Sequence, residues 1–475
     1  MEAAARRMGR RKGSRRGGGR RREAMARCWT IAEFEGFFAE GAGRGAETRP
    51  GLQALPVTHF AALKDLLGGG TVSAEDGGEE AAGKAVFSLA HDRRLGEVVK
   101  AGSHVGVVAF ADGSQIEILP KLARAVRERG EAEKERLRGI LLGLLREAFD
   151  IDPALRGPTD LRLARLPLLE AFYRMFLEAL ERLVKRGLPG GYVRVEGNER
   201  FFKGKLLVAE HVRRNLVRRE RFWVAHDVFR SDTPANRLLR AGLDFVRGNA
   251  LAEMNRRAAG RLAAAFEEIP PSRNSAADFG ACAAAERDGL QREALRWCDI
   301  FLRGRSLANL PGTRRVRAFL FPMEAVFERA VARVLRRHAP DGVEVSAQER
   351  RMFLFGEAPW EGGAFRLKPD IVIRRGQEVL AVADTKWKLL GEQKENFGMV
   401  QADMYQMYAY QKRYGAARAL LVYPSHGALG KLAEAPPVFR TVGDAEVQAI
   451  FWNLEGSDGP VESAGRIFGA AEVGN

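Results

Sequence analysis

Residues 368–388 read K-P-D-I-V-I-R-R-G-Q-E-V-L-A-V-A-D-T-K-W-K, and this stretch decides how the C-terminal part of the chain is built. Ile371 to Ile373 and Val379 to Ala383 are short apolar runs separated by a turn at Gly376, which is the pattern of a hairpin. The second run is apolar on both faces, which places it at the centre of a covered sheet. Asp370 enters the first strand, and Asp384 and Lys386 leave the second. A side-chain period of two puts Asp384 and Lys386 on one face. The hairpin thus brings two carboxylates and an ammonium to one end. Mg²⁺ takes oxygen ligands and keeps several waters, so Asp370 and Asp384 suit it, with the Thr385 carbonyl as a further oxygen. Lys386 is placed to orient an attacking water or to neutralise charge developing on a phosphate. The combination points to metal-dependent hydrolysis of a phosphodiester. Taken alone, it also describes a hairpin with surface Asp and Lys at its ends.

The flanks add to the motif. The spacing predicts a helix over 322–338 that carries Glu324 and Glu328 one turn apart. Like charges at that spacing repel in a bare helix, and a nearby cation reverses the sign. A second helix, predicted over 396–414, sets Gln406 and Tyr410 on one face, where an amide and a hydroxyl can reach a lysine, a water or a phosphate. Strands near 343–355, 418–424 and 447–453 complete a mixed sheet.

A P-D…D-x-K pattern with a preceding helical Glu and a following Q-x-x-x-Y helix resembles the PD-(D/E)xK nuclease superfamily in its RecB-like style. The stretches F-L-F-P-M-E-A-V-F-E-R-A-V, K-P-D-I-V-I, A-D-T-K-W-K and A-D-M-Y-Q-M-Y-A-Y are similar to the McrC family, the nuclease subunits of McrBC modification-dependent restriction systems. Upstream, V-G-V-V, I-E-I-L-P-K, G-G-Y-V-R-V-E-G-N-E, G-K-L and S-D-T-P-A-N-R-L-L-R extend the resemblance, so that it runs from Trp29 to Leu454. It implies a Mg²⁺-dependent endonuclease using one or two ions, with Asp370, Asp384 and Lys386 as catalytic residues. The family's Phe-Glu pair falls on Phe327-Glu328, which makes Glu328 the helical acid. The family often has Asn where this chain has Glu324, so which acid faces the metal stays open. Asp370, Asp384, Thr385 and Glu328 are then the metal set, and Gln406 and Tyr410 organise the lysine or the substrate. The resemblance further implies a McrB-like AAA+ GTPase hexamer as partner. That partner recognises double-stranded DNA carrying 5-methylcytosine or a related modification, and its GTPase is stimulated by the McrC-like chain through an N-terminal region docked into the ring. Two other readings are a stand-alone RecB-like repair nuclease and a nuclease-dead adaptor that only stimulates an AAA+ NTPase.

Outward from the motif, the expected class is α/β (α+β) in three parts. A small mixed α/β domain over 25–125 is the expected partner-docking unit, with a V-G-V-V-A-F strand, an Asp112-Gly113 turn and a Q-I-E-I-L strand as its hairpin. A helical middle region covers 126–267, with helices over 133–149, 166–185 (closed by Gly187) and 235–266, and a hairpin within 192–206. A connector over 268–314 leads to a restriction-endonuclease-like domain over 315–454, a central mixed sheet flanked by helices, and then to a loose tail over 455–475. Arg213, Arg214, Arg218 and Arg219 form a basic cluster that fits phosphates or an acidic protein surface.

The 475 residues carry a net charge of +16, half of it in residues 1–24, where ten Arg or Lys meet two Glu. That segment lacks the apolar content to fold. It reads as a disordered basic tail, or as sequence ahead of a translation start at Met25. The remaining excess suits a polyanionic partner. Cys28, Cys282 and Cys298 have no metal-ligand spacing and fit a reducing cytoplasm. No apolar run reaches the roughly 20 residues of a membrane span. Gly78 to Ala85 (G-E-E-A-A-G-K-A) falls short of a P-loop because Ala85 replaces the hydroxyl residue, so no nucleotide is expected on this chain. The seven histidines are scattered without a metal-binding spacing.

Overall fold

A computed structural model describes residues 27–42, 49–67, 85–122, 130–149, 159–283, 289–303, 316–356, 363–440, 446–456 and 458–472. The basic segment 1–24, Met25 and nearly all of the Gly78 to Ala85 stretch lie outside them.

The N-terminal part is built from β1 (Cys28–Ala32), β2 (Gly36–Ala39), β3 (Leu52–Leu55), α1 (Val57–Asp65), β4 (Phe87–Asp92), β5 (Gly96–Ala101), β6 (His104–Phe110) and β7 (Gln115–Leu119). One sheet runs β3-β2-β5-β4. The other has β1, β7 and β6 side by side and is completed by β11 (Val316–Pro322), which returns from far along the chain to pair antiparallel with β6. Gly106 makes that pairing possible, since a Cβ there would sit 2.0 Å from the Phe319 carbonyl. The Asp112-Gly113 turn joins β6 and β7 as the sequence predicts, with Gly113 at φ +85°.

The helices α2 (Gly130–Ala148) and α4 (Leu168–Arg186) pack on this sheet, and α3 (Thr159–Ala164) packs against both of them. The apolar stripe of α4 buries Leu168, Phe172, Phe176, Leu180 and Leu183, each contributing about 1.5–3 kcal/mol by leaving water. Gly187 closes the helix at φ +99°, as predicted. A buried charge locks the layers together. The Glu117 carboxylate on β7 accepts from Arg138 Nε at 3.0 Å and from the Leu168 amide, the first of α4, at 2.6 Å. An anion at a helix N-terminus satisfies an orphan N–H and meets the positive end of the helix dipole.

Next come β8 (Gly191–Glu199), β9 (Lys205–Leu206), α5 (Val208–Asn215) and β10 (Phe222–Arg230). The hairpin expected within 192–206 does not form. The sheet order is β8-β10-β9, because β8 and β10 match along nine residues whereas β9 offers only two. Reciprocal amide bonds between Asn198 and Asn215, at 2.8 and 2.9 Å, fix that order. The single helix expected over 235–266 is broken into α6 (Pro234–Asn249) and α7 (Glu253–Ala263), since Ala250 and Ala252 are extended. The buried Glu170 carboxylate takes up the bend by accepting from the Leu251 amide at 2.6 Å and Asn255 Nδ2 at 2.7 Å. The expected connector contributes α8 (Ser275–Ala283) and α9 (Gly289–Cys298) to the same core, where Trp297 is fully buried against Phe172 and Phe301.

The C-terminal unit follows as α10 (Met323–Arg337), β12 (Val343–Ala347), β13 (Phe353–Phe355), β14 (Ala364–Arg366), β15 (Ile371–Arg375), β16 (Glu378–Thr385), α11 (Gln401–Tyr414), β17 (Arg418–Pro424), β18 (Val438–Arg440), β19 (Glu446–Trp452) and α12 (Gly459–Glu472). A six-stranded sheet runs β12-β15-β16-β17-β19-β18, parallel over β16-β17-β19 and antiparallel elsewhere. With α10 and α11 packed against it, this is the mixed, helix-flanked sheet expected, and the class is α/β (α+β). Two expectations are corrected. The helix predicted from 396 begins at Gln401, because Asn396, Phe397 and Gly398 all have positive φ. The supposed loose tail carries α12, whose Ala464, Ile467 and Phe468 are buried against β19 and α10. Among the described residues no helix is long and apolar enough to cross a membrane.

Candidate active site

The hairpin β15–β16 builds the site. Ile371 pairs with Ala383, so the same register sets Asp370 across from Asp384. Leu380 to Ala383 are buried, as a central strand requires. At the strand end the Thr385 amide and hydroxyl both donate to Asp370 Oδ2, each at 2.7 Å. Thr385 was expected to offer its carbonyl to a metal; here its amide and hydroxyl orient an acid.

Lys386 sits at the centre of a polar network. Its Nζ lies 2.6 Å from Asp384 Oδ2, 3.2 Å from Gln406 Oε1 and 3.4 Å from Asp403 Oδ1. Gln406 in turn donates to the Tyr410 hydroxyl at 2.8 Å. The i,i+4 pair on α11 thus grips the lysine, one of the roles its spacing allowed. Lys388 reaches Asp403 Oδ2 at 2.7 Å. Asp403 therefore receives both lysines that flank Trp387.

The electrostatics are those of crowded, buried acids. Burial pushes the Asp384 carboxyl up to about 7, Asp370 adds repulsion, and Lys386 opposes both. Burial and then the neighbouring Glu328 push Asp370 up to about 6, against the Thr385 hydrogen bonds. Glu328 is raised by burial, with Asp384 contributing, and Gln348 Nε2 donates to its Oε1 at 2.8 Å. Glu328 therefore shares a field with the two aspartates. Glu324 adds its repulsion to Glu33 on the N-terminal side. A cation beside Asp370 and Asp384 relieves their burial and their repulsion together. No group of three or more His, Cys, Asp or Glu among the described residues is arranged to hold a metal ion unaided. Mg²⁺ accepts one or two carboxylates and fills the remaining positions with water, so this oxygen-donor set fits it.

All six predicted catalytic residues fall in one neighbourhood. The arginine cluster lies elsewhere, on the lobe formed by β8, β9, α5 and β10. There Arg213 and Arg214 both pair with Glu210, at 3.6 and 2.8 Å, and Arg214 also lies over the Trp223 ring at 4.4 Å. Arg218 and Arg219 are exposed beside Val217, which is 91% exposed. Sequence reasoning missed Gln348, Asp403, Lys388 and Tyr423. Asp403 stands in the A-D-M-Y-Q stretch one turn before Gln406, and that spacing was the signal that could have found it. Gln348 follows an edge strand and left none. The Tyr423 hydroxyl is buried without a hydrogen-bond partner, in the field of Asp403, Lys386 and Asp384.

With this geometry in place, three comparisons bear on the chain. The family model described as McrBC 5-methylcytosine restriction system component matches residues 99–424, from β5 through the active-site hairpin to the end of β17. A chain of the refined half-complex from the tetradecameric assembly of Thermococcus gammatolerans McrB AAA+ hexamers with bound McrC is similar at a TM-score of 0.61 and 21% identity, covering 93% of this chain and 99% of that one. At that identity the likeness shows the fold. A chain of the Thermococcus gammatolerans McrBC complex covers 66% of this chain and 88% of that one, at 21% identity and a TM-score of 0.43. None of the curated proteins matches in sequence.

Proposed function

The chain belongs to the family of McrBC 5-methylcytosine restriction system components, and from that premise we propose that it is the nuclease subunit of such a system, a Mg²⁺-dependent endodeoxyribonuclease. The observation that carries this reading is the convergence of Asp370, Asp384 and Lys386 at the end of β15–β16, with Glu328 in the same field. Asp370 and Asp384 would hold the metal, with the Asp370 carboxylate fixed by the Thr385 amide and hydroxyl. Mg²⁺, when bound, stabilises charge on the scissile phosphate and makes a water acidic enough to attack. Lys386, held by Gln406 and Asp403, orients that water and offsets the phosphate's developing charge. Glu328, steadied by Gln348, assists the metal or takes the water's proton.

The similar McrC chain is described in complex with McrB AAA+ hexamers. We extend that to this chain: an AAA+ GTPase hexamer recognises modified double-stranded DNA, delivers it to this site and has its GTPase stimulated in return. The test is plasmid cleavage with Mg²⁺, on methylated and unmethylated DNA, using this chain alone or with its GTPase partner and GTP. Cleavage confined to the full mixture on methylated DNA, and lost in Asp384→Ala, is the expected result. Cutting by the chain alone would move it to the free-nuclease class. A stimulated GTPase without any cutting would make it an adaptor.

A further inference from the structure

One residue of the N-terminal part reaches into the active-site hairpin. Glu33 lies in the turn between β1 and β2 and is 3% exposed. Its Oε2 accepts from Trp387 Nε1 at 2.9 Å, across 354 residues of sequence, and from the Lys121 amide at 3.1 Å. Its other oxygen is buried without a hydrogen-bond partner. The next residue, Phe34, has φ +68°, a left-handed backbone that costs a bulky residue about 1–3 kcal/mol. Glu35 holds the turn by accepting from the Ala32 amide at 2.8 Å. A buried carboxylate with an idle oxygen beside a strained residue is a poor choice for packing alone. What it holds explains it better.

Trp387 stands between the two lysines of the site. The Lys388 amide donates to the Lys386 carbonyl at 2.8 Å, which closes a tight turn around the tryptophan. Its indole is 2% exposed and packs on Phe327, the residue before Glu328, with ring centroids 5.3 Å apart. Lys386 and Lys388 then meet Asp403 from the two ends of that turn. Glu33 and Phe327 hold the indole, and the indole anchors the backbone turn from which both lysine side chains project.

We propose that Glu33 is a positioning residue for the active-site lysine: by gripping the Trp387 indole it makes the N-terminal unit part of the cleavage site. The proposal rests on the nuclease reading above.

The test combines two readouts on the full chain. Cleavage of methylated DNA is measured in the complete assembly with GTP and Mg²⁺, for wild type, Glu33→Ala, Glu33→Gln, Trp387→Phe and the Ala/Phe double variant, with Asp384→Ala as control. Amide hydrogen exchange at Lys386 and Lys388 is followed in the same variants. Glu33→Ala and Trp387→Phe should each lower kcat about 10- to 100-fold, the range for residues that orient a metal-site group, with KM and GTPase stimulation unchanged. The double variant should be no worse than either single one. Glu33→Gln keeps an acceptor oxygen and should retain most of the activity. Exchange at the two lysine amides should quicken in the Ala and Phe variants only. Unchanged exchange in Glu33→Ala overturns the proposal whatever the cleavage result, as do multiplicative losses in the double variant. Quickened exchange in the Ala and Phe variants, with a wild type that never cuts DNA, would leave the contact standing and remove the nuclease reading.

Discussion

Asp384, a metal ligand in the proposed reading, is crowded by Asp370 and only partly offset by Lys386 when no metal ion is bound. Its carboxyl titrates near 7 in the fold against 3.8 for an ordinary aspartate, and that of Asp370 near 6. The folded chain thus holds more protons than the unfolded chain between those values. The stability these two groups lend is complete below about pH 4 and is lost as pH rises through 6 and 7. Thermal melts without metal should therefore show Tm falling from pH 5 to pH 8. Mg²⁺ binds the deprotonated form, so its addition should raise Tm more at pH 8 than at pH 5. Asp384→Asn should flatten the metal-free profile and raise Tm at pH 8 by a few degrees, roughly the shift expected of about 1 kcal/mol in a chain of this size. The same variant should abolish cleavage and respond less to Mg²⁺. A profile that is identical in wild type and Asp384→Asn would remove the crowded-acid account. Gln406→Ala should lower kcat by a smaller factor than Lys386→Ala, because Lys386 keeps its two carboxylate partners.

Elements differed in how well the sequence announced them, and the difference has a physical cause. β6, β7, β15 and β16 were legible because an apolar run and a turn residue are local signals, and the meeting of Asp370, Asp384 and Lys386 at one end of a hairpin was legible because their spacing rides on β15 and β16. The β8-β10-β9 order was not, since it depends on the amide pair Asn198–Asn215 and on a two-residue strand. Nor was the helix over 459–472, whose apolar positions are diluted by Gly and Ala and acquire meaning only against β19 and α10. The grip of Glu33 on Trp387 left no sequence trace at all. The same logic predicts where elements are held by charge. Glu117 is fully buried on β7 and joins α2 and α4 to the sheet through Arg138 and the first amide of α4. Glu117→Ala leaves that amide unpaired and the guanidinium with Glu131 alone, at 2.8 Å, and should lower unfolding stability by about 3 kcal/mol in a urea titration. A loss below about 1 kcal/mol would mean that the layers are held by apolar packing alone.

Among the described residues the candidate active site and a surface suited to a protein contact lie on different elements. The lobe of β8, β9, α5 and β10 exposes Tyr192, Phe201, Phe202 and Val217, at 75%, 79%, 59% and 91%. Isolated exposed apolar residues are ordinary, but a set this dense on one small sheet and helix marks a contact surface. Its arginines are ambiguous by sequence. Glu210 engages Arg213 and Arg214, and Arg214 stacks on Trp223, so these two are poor clamps for phosphate. Aromatic anchors with arginine at their side are typical of protein interfaces. The lobe should therefore bind the AAA+ partner, while DNA runs past the hairpin of β15–β16. Phe201→Ser combined with Val217→Ser should weaken assembly and GTPase stimulation by tenfold or more, the effect of losing about 1.4 kcal/mol or more of interface energy. Because both side chains are exposed, the Tm of the isolated chain should barely move. Replacing Arg218 and Arg219 by Ala should leave the salt dependence of DNA binding unchanged, whereas deleting a side chain that neutralises a phosphate lowers its slope by about one. A reduced slope with normal assembly would reassign the lobe to DNA. Weakened assembly with an unchanged slope would place the partner on the lobe and leave the nucleic acid to the carboxylate site.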